Sequence, residues 1–108
     1  SNAMLQEITS DSDRISCDLI NYEIARRELG RAVRSEKLEE IISPTVSAPV
    51  KIAAYLLLEK NKEANTLLEE DIKFDYTALL QYSNTFVFKK YLDEHIKQKV
   101  QMKLREIY

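Results

Sequence analysis

Turn-forming residues are almost missing from this chain: Gly30 is its single glycine, and Pro44 and Pro49 are its two prolines. A sheet-rich fold needs tight-turn chemistry every ten residues or so, and one glycine with two prolines cannot supply it. A glycine-rich loop able to cradle phosphate is excluded on the same ground. Cys17 is the single cysteine, so no intramolecular disulfide can form, which suits a reducing cytoplasm. His95 is the single histidine. Its neighbours Asp93 and Glu94 diverge from it on a helix, leaving neither a zinc set nor an acid–base pair at a defined spacing. The carboxylate groups Glu39-Glu40, Glu69-Glu70-Asp71 and Asp93-Glu94 sit among lysines, the pattern of solvated helix faces. No catalytic residue, metal ligand or cofactor-binding residue is therefore assigned, and an enzyme is not expected.

Long apolar runs are missing too. The richest stretch, residues 50–58, is interrupted by Lys51 and falls far short of the ~20 residues a spanning helix needs. Nothing near the start resembles a signal peptide. A net charge of −2 exerts little long-range pull on nucleic acid or anionic lipid. These absences describe a soluble cytoplasmic protein without a membrane segment.

What is abundant is helix former: Leu, Ile, Ala, Glu, Lys and Arg dominate. Ser1-Asn2-Ala3 ahead of Met4 reads as the remnant of a cleaved purification tag, leaving 4–108 as a single helical domain. The expected fold is all-α, a compact bundle of four to six helices around one buried central helix. That central helix is residues 50–58, whose apolar side chains cover nearly the whole circumference. Ser47 is placed to cap it, and Pro49 falls in the first turn, where a missing N–H is harmless. Burying Val50, Ile52, Leu56, Leu57 and Leu58 would contribute roughly 8–15 kcal/mol as an upper bound. A whole domain is stable by only about 5–15 kcal/mol, so the fold depends on this helix.

Upstream, a helix is expected from about Asp13, capped by Ser12 or Asp11. It carries two apolar stripes: Ile15, Leu19, Tyr22, Leu29 and Val33 on one side, and Cys17, Ile20 and Ile24 nearly opposite. Such a helix is either sandwiched in its own domain or has one face pledged to another chain. Gly30 marks a break, followed by a short helix over 35–42 that Pro44 stops. A further helix centres on Ala64, Leu67 and Leu68. Residues 72–88 read as helices, with Asp75 and Asn84 as caps, or alternatively as one short hairpin, since Ile72, Phe74 and Tyr76 alternate with polar residues. A last helix runs from about Thr85 to the end, with Leu92, Ile96, Val100, Leu104 and Ile107 as its stripe.

Two groups of residues are candidates for function. Six of the nine aromatic residues fall between Phe74 and Tyr91, and tyrosines beside charge favour interfaces. Tyr76 and Tyr82, together with Ile20 and Ile24 of the first helix, form the candidate partner interface. The leading expectation is a non-catalytic protein–protein interaction module that binds a protein partner, itself as a homodimer, or both. Arg27, Arg31 and Arg34, at i, i+4 and i+7, are the candidate phosphate contacts of the alternative, a nucleic-acid-associated accessory protein. Glu23 and Glu28 are also spaced to pair with Arg27 and Arg31, and the isoelectric point of about 5.5 weighs against nucleic acid.

Overall fold

The computed structural model describes residues 11–42, 46–74 and 76–107. Over them run seven helices and no strand: α1 (Asp11–Glu28), α2 (Ser35–Ile41), α3 (Ala48–Leu57), α4 (Asn61–Phe74), α5 (Tyr76–Asn84), α6 (Phe86–Tyr91) and α7 (Glu94–Ile107). The all-α class expected from composition is what forms. No described helix is long and apolar enough to cross a membrane.

Helix α3 is the centre. It packs against α1, α2, α4 and α6, while α5 bridges α4, α6 and α7. Val50, Ile52, Ala53, Ala54, Leu56 and Leu57 are all buried, so this one ten-residue element meets four neighbouring helices because its apolar residues run around most of its circumference. Ser47 stands at its N-cap with extended backbone, its carbonyl accepting from Lys51 N–H at 3.2 Å, and Pro49 lies in the first turn. The Cα radius of gyration of 13.1 Å matches the ~13 Å of a compact chain this long.

Two helices end in the same way, with different residues. After α1, Arg31 N–H donates to the Arg26 carbonyl at 2.9 Å and Gly30 N–H to that of Arg27 at 3.0 Å. After α3, Lys60 N–H reaches the Tyr55 carbonyl at 2.9 Å and Glu59 N–H that of Leu56 at 3.1 Å. Both are Schellman caps, which require a left-handed residue at the turn. Gly30 supplies φ +83°, as its place in the sequence suggested; Glu59 is forced to φ +62° with a full side chain.

Several expectations need correction. Ser12 and Asp11 lie inside α1 rather than capping it, since both are already helical. Among the described residues the helices number seven, not four to six, because the last expected helix is broken in two. Leu92 takes an extended conformation (φ −69°, ψ 147°), ending α6, and α7 starts beyond Asp93. The Asp93 carboxylate is held from α4 by Asn61 Nδ2 at 3.0 Å and Asn65 Nδ2 at 2.9 Å, which fixes the chain at the break. The hairpin alternative for 72–88 does not form: residues 72–74 finish α4, and 76–84 are α5. Thr85, not Asn84, stands at the N-cap of α6, Asn84 being the last residue of α5. Asp75 and Pro44 lie outside the described residues.

Candidate functional site

Helix α1 has one face in the core and one in solvent, and the two stripes read from the sequence fall on opposite sides of that division. Cys17, Ile20 and Ile24 are buried, the isoleucines at 0 % exposure. Ile20 and Ile24 are therefore core rather than a free interface, because α3 packs against that side of α1. The other stripe carries the exposed apolar surface: Ile15 is 68 % exposed, Tyr22 54 % and Leu29 76 %. These three are spaced by seven residues each, and Leu29, the first residue past α1, still donates its N–H to the Ala25 carbonyl at 3.1 Å; at helical spacing they fall within an arc of about 40°. Asp18 and Ala25 are exposed along one edge of the stripe, and Leu19 and Arg26 are half-buried along the other.

A buried carboxylate organises the end of this face. Glu23 is fully buried, and Arg34 donates to it twice, from its backbone N–H to Oε1 at 2.9 Å and from Nε to Oε2 at 2.6 Å. The same guanidinium lies 4.9 Å from the centre of the Tyr22 ring and so backs it from one side. Arg26, one turn along from Glu23, has Nε 3.7 Å from Oε1 and donates from Nη2 to the Ala32 carbonyl at 3.1 Å.

The three arginines expected to share a phosphate do not converge. Arg34 is spent on Glu23. Arg27 stacks 4.5 Å from the Tyr91 ring centre, donates to the Leu57 carbonyl at 3.5 Å and approaches Glu59 at 3.8 Å, tying α1 to the ends of α3 and α6. Arg31 is exposed beyond the end of α1. The expected pairs with Glu23 and Glu28 also change partners. Glu28 accepts from Lys90 Nζ at 2.6 Å and from the Tyr91 hydroxyl. Those two hydrogen bonds, with the lysine charge behind one of them, hold its carboxyl below the usual range. Loss of water, then the hydrogen bond and charge of Glu28, push the Tyr91 phenol up to about 12.

Tyr82 is also corrected from interface to core. Its hydroxyl donates to Asp71 at 2.6 Å, and its ring meets Phe88 edge-on with centroids 4.9 Å apart. The Tyr76 side chain lies outside the described residues. Beside Tyr82, a cleft of about 260 Å³ between α5, α6 and α7 is lined by Ser83, Lys89, Lys97, Val100 and Gln101. Gln101 donates across it to Ser83 at 2.9 Å, and Lys97 is paired with Glu94 at 3.0 Å. Its walls present amines and amides, with no carboxylate pair set for acid–base work. Cys17 is buried in the core and His95 is exposed on α7. Among the described residues no group of three His, Cys, Asp or Glu could hold a metal ion.

No family model, curated protein or solved structure matches the chain.

Ile15, Tyr22 and Leu29 belong to the stripe the sequence already showed on α1, but the interface was expected on the opposite stripe, at Ile20 and Ile24, and it is Ile15, Tyr22 and Leu29 that stay exposed. Spacing alone does not tell the two stripes apart, since Cys17, Ile20 and Ile24 at i, i+3 and i+7 would suit a helix seam as well as a core.

Proposed function

We propose that this chain is a non-catalytic protein-interaction module of the cytoplasm, and that it docks through the outer stripe of α1. The observation that carries the reading is the exposure of three large apolar side chains at seven-residue spacing, Ile15 and Tyr22 on α1 and Leu29 just past its end. Scattered exposed hydrophobics are ordinary; a rigid line of them with charges along its edges is how one helix presents itself to another. Tyr22 supplies an aromatic anchor with few rotamers to lose, already backed by Arg34.

The titratable residues support the non-catalytic part. Glu23, Glu28, Asp71 and Asp93 each spend their carboxylates on contacts between elements. Such groups hold helices together and are poorly placed to turn over a substrate. The nucleic-acid alternative is weakened because Arg27 and Arg34 are engaged inside the fold.

The test compares the chain with its Ile15→Ser/Leu29→Ser variant in affinity capture, after circular dichroism confirms equal helicity. A protein recovered near stoichiometry with the first and lost with the second supports the reading. Equal recovery with both removes α1 as the docking face. Recovery that nuclease abolishes and Arg31→Ala weakens would replace it with nucleic-acid binding.

A further inference from the structure

We propose that the cleft between α5, α6 and α7 binds a small organic phosphate. Its phosphoryl group meets Lys89 and Lys97, and its ester group rests on Val100 and Tyr82. The site is separate from the docking face on α1, and neither depends on the other.

Three helices build it. Lys97, Val100 and Gln101 stand at i, i+3 and i+4 on α7 and so share one face of that helix. Tyr82 and Ser83 line the cleft from α5, which packs against both α6 and α7, and Lys89 lines it from α6. The floor is fixed, since Tyr82 and Val100 are buried and Phe88 meets the tyrosine ring edge-on at 4.9 Å. That rigidity leaves the cleft formed before a ligand arrives.

The walls have one polarity. Lys89, Lys97, Ser83 and Gln101 each carry an N–H or O–H donor, and no lining residue carries a carboxylate. Most of those donors are uncommitted. Lys89 is exposed and makes no ion pair among the described residues. Lys97 gives one of its three protons to Glu94 at 3.0 Å, but that carboxylate is 79 % exposed, so water screens the pair. Ser83 accepts from Gln101 Nε2 at 2.9 Å, which leaves its own hydroxyl proton and the second amide proton of Gln101 free. Lysines of the same two helices that do not line the cleft are matched from elsewhere in the fold, Lys90 by Glu28 and Lys99 by Glu69. The two that line it have no carboxylate from another helix.

Shape selects the anion. A phosphoryl group spreads three terminal oxygens in different directions and carries close to two charges at neutral pH, which suits two amines and two neutral donors reaching in from three helices. A carboxylate offers two coplanar oxygens and a single charge. At about 260 Å³ the cleft lies just below the ~300–1,000 Å³ typical of ligand pockets, so the ester group is small.

The probe is phenyl phosphate, titrated into the full chain at fixed ionic strength and followed by amide NMR. The signals of Ser83, Lys89, Lys97 and Gln101 should move together, with a dissociation constant on the order of 1 mM. Lys89→Ala should weaken binding by about fivefold or more. Lys37→Ala removes the same charge from α2 and should change binding by less than about twofold. Glu94→Gln releases Lys97 and should tighten binding by about twofold. Benzoate, which keeps the ring and replaces the phosphoryl group with a carboxylate, should bind at least about fivefold more weakly. Signals that stay still well above that concentration overturn the site, as does a Lys37→Ala loss equal to that of Lys89→Ala, which would mean diffuse surface attraction. Benzoate binding as tightly as phenyl phosphate overturns the choice of anion. Inorganic phosphate binding as tightly overturns Val100 and Tyr82 as the seat of the ester group.

Discussion

Arg34 and Glu23 form an ion pair in which one partner is closed off from water and the other is not: the Glu23 side chain is 0 % exposed and that of Arg34 37 %. The asymmetry has a direct consequence for mutation. Removing Arg34 strands a carboxylate in the core, whereas neutralising Glu23 leaves a guanidinium that can turn to solvent. Arg34→Ala should therefore destabilise by about 2–4 kcal/mol and Glu23→Gln by about 1–2 kcal/mol, measured by urea unfolding. Equal losses would mean that Glu23 is reached by water in solution.

The two faces of α1 should separate cleanly by stability. Ile20→Ala and Ile24→Ala open cavities beside α3 and should each cost about 2–5 kcal/mol. Ile15→Ser and Leu29→Ser remove side chains that touch mostly water, and should stay within about 0.5 kcal/mol at micromolar concentration. A loss of several kcal/mol in the second pair would place that stripe in a packed environment and remove it as a docking face.

The Glu28–Tyr91 contact makes stability depend on pH at both extremes. A carboxyl held low stabilises the fold above its unfolded value of about 4.5 and loses that contribution as pH falls through the lower folded value. A phenol held high contributes below its unfolded value of about 10 and loses it as pH climbs toward 12. Absorbance titration should show Tyr91 as a phenol ionising near 12, an amplitude there that Tyr91→Phe removes. Glu28→Gln should bring that step down toward 10, since it removes the carboxylate that opposes the phenolate. A titration indifferent to Glu28 would leave desolvation alone as the cause.

Glu59 and Gly30 occupy the same left-handed position of two like caps, so they make a matched experiment. Glu59→Gly relieves a Cβ strained by its positive φ and should stabilise by up to about 1 kcal/mol, the 3.8 Å contact to Arg27 being loose and exposed. Gly30→Ala should destabilise by about 1 kcal/mol through the backbone alone, since an added Cβ would meet nothing within 4 Å. Thermal melts of the two variants should move in opposite directions.

Much of the architecture was legible in the sequence. A ten-residue element apolar on all sides has few places to go but the middle, and α3 went there. Gly30 read as a break because a left-handed residue there suits glycine. The orientation of α1 was not legible, because a buried Glu23 beside Ile20 and Ile24 makes the inner face look polar, while Ile15, Tyr22 and Leu29 make the outer one look apolar. The partner that neutralises Glu23 sits 11 residues on, in a loop whose path no helical periodicity gives. The break before α7 was hidden for the same reason. The asparagines holding Asp93 lie 32 and 28 residues upstream, so nothing local announces it. The arginines read as a patch because helical spacing placed them on one face. Yet α1 ends at Glu28, and Arg31 and Arg34 lie on other backbone.

The three-residue connection between α3 and α4 also sets an order of assembly. The two helices are neighbours in sequence and in space, so closing the loop between them sacrifices little chain entropy. The Glu28–Lys90 contact must close 62 residues for the reward of one surface bond. Mutations across the α3–α4 seam should therefore slow folding, while those at Glu28 and Lys90 should quicken unfolding and leave the folding rate nearly untouched. On this ordering α1 docks onto a nucleus that already exists, and its outer stripe becomes a defined surface only at the last step.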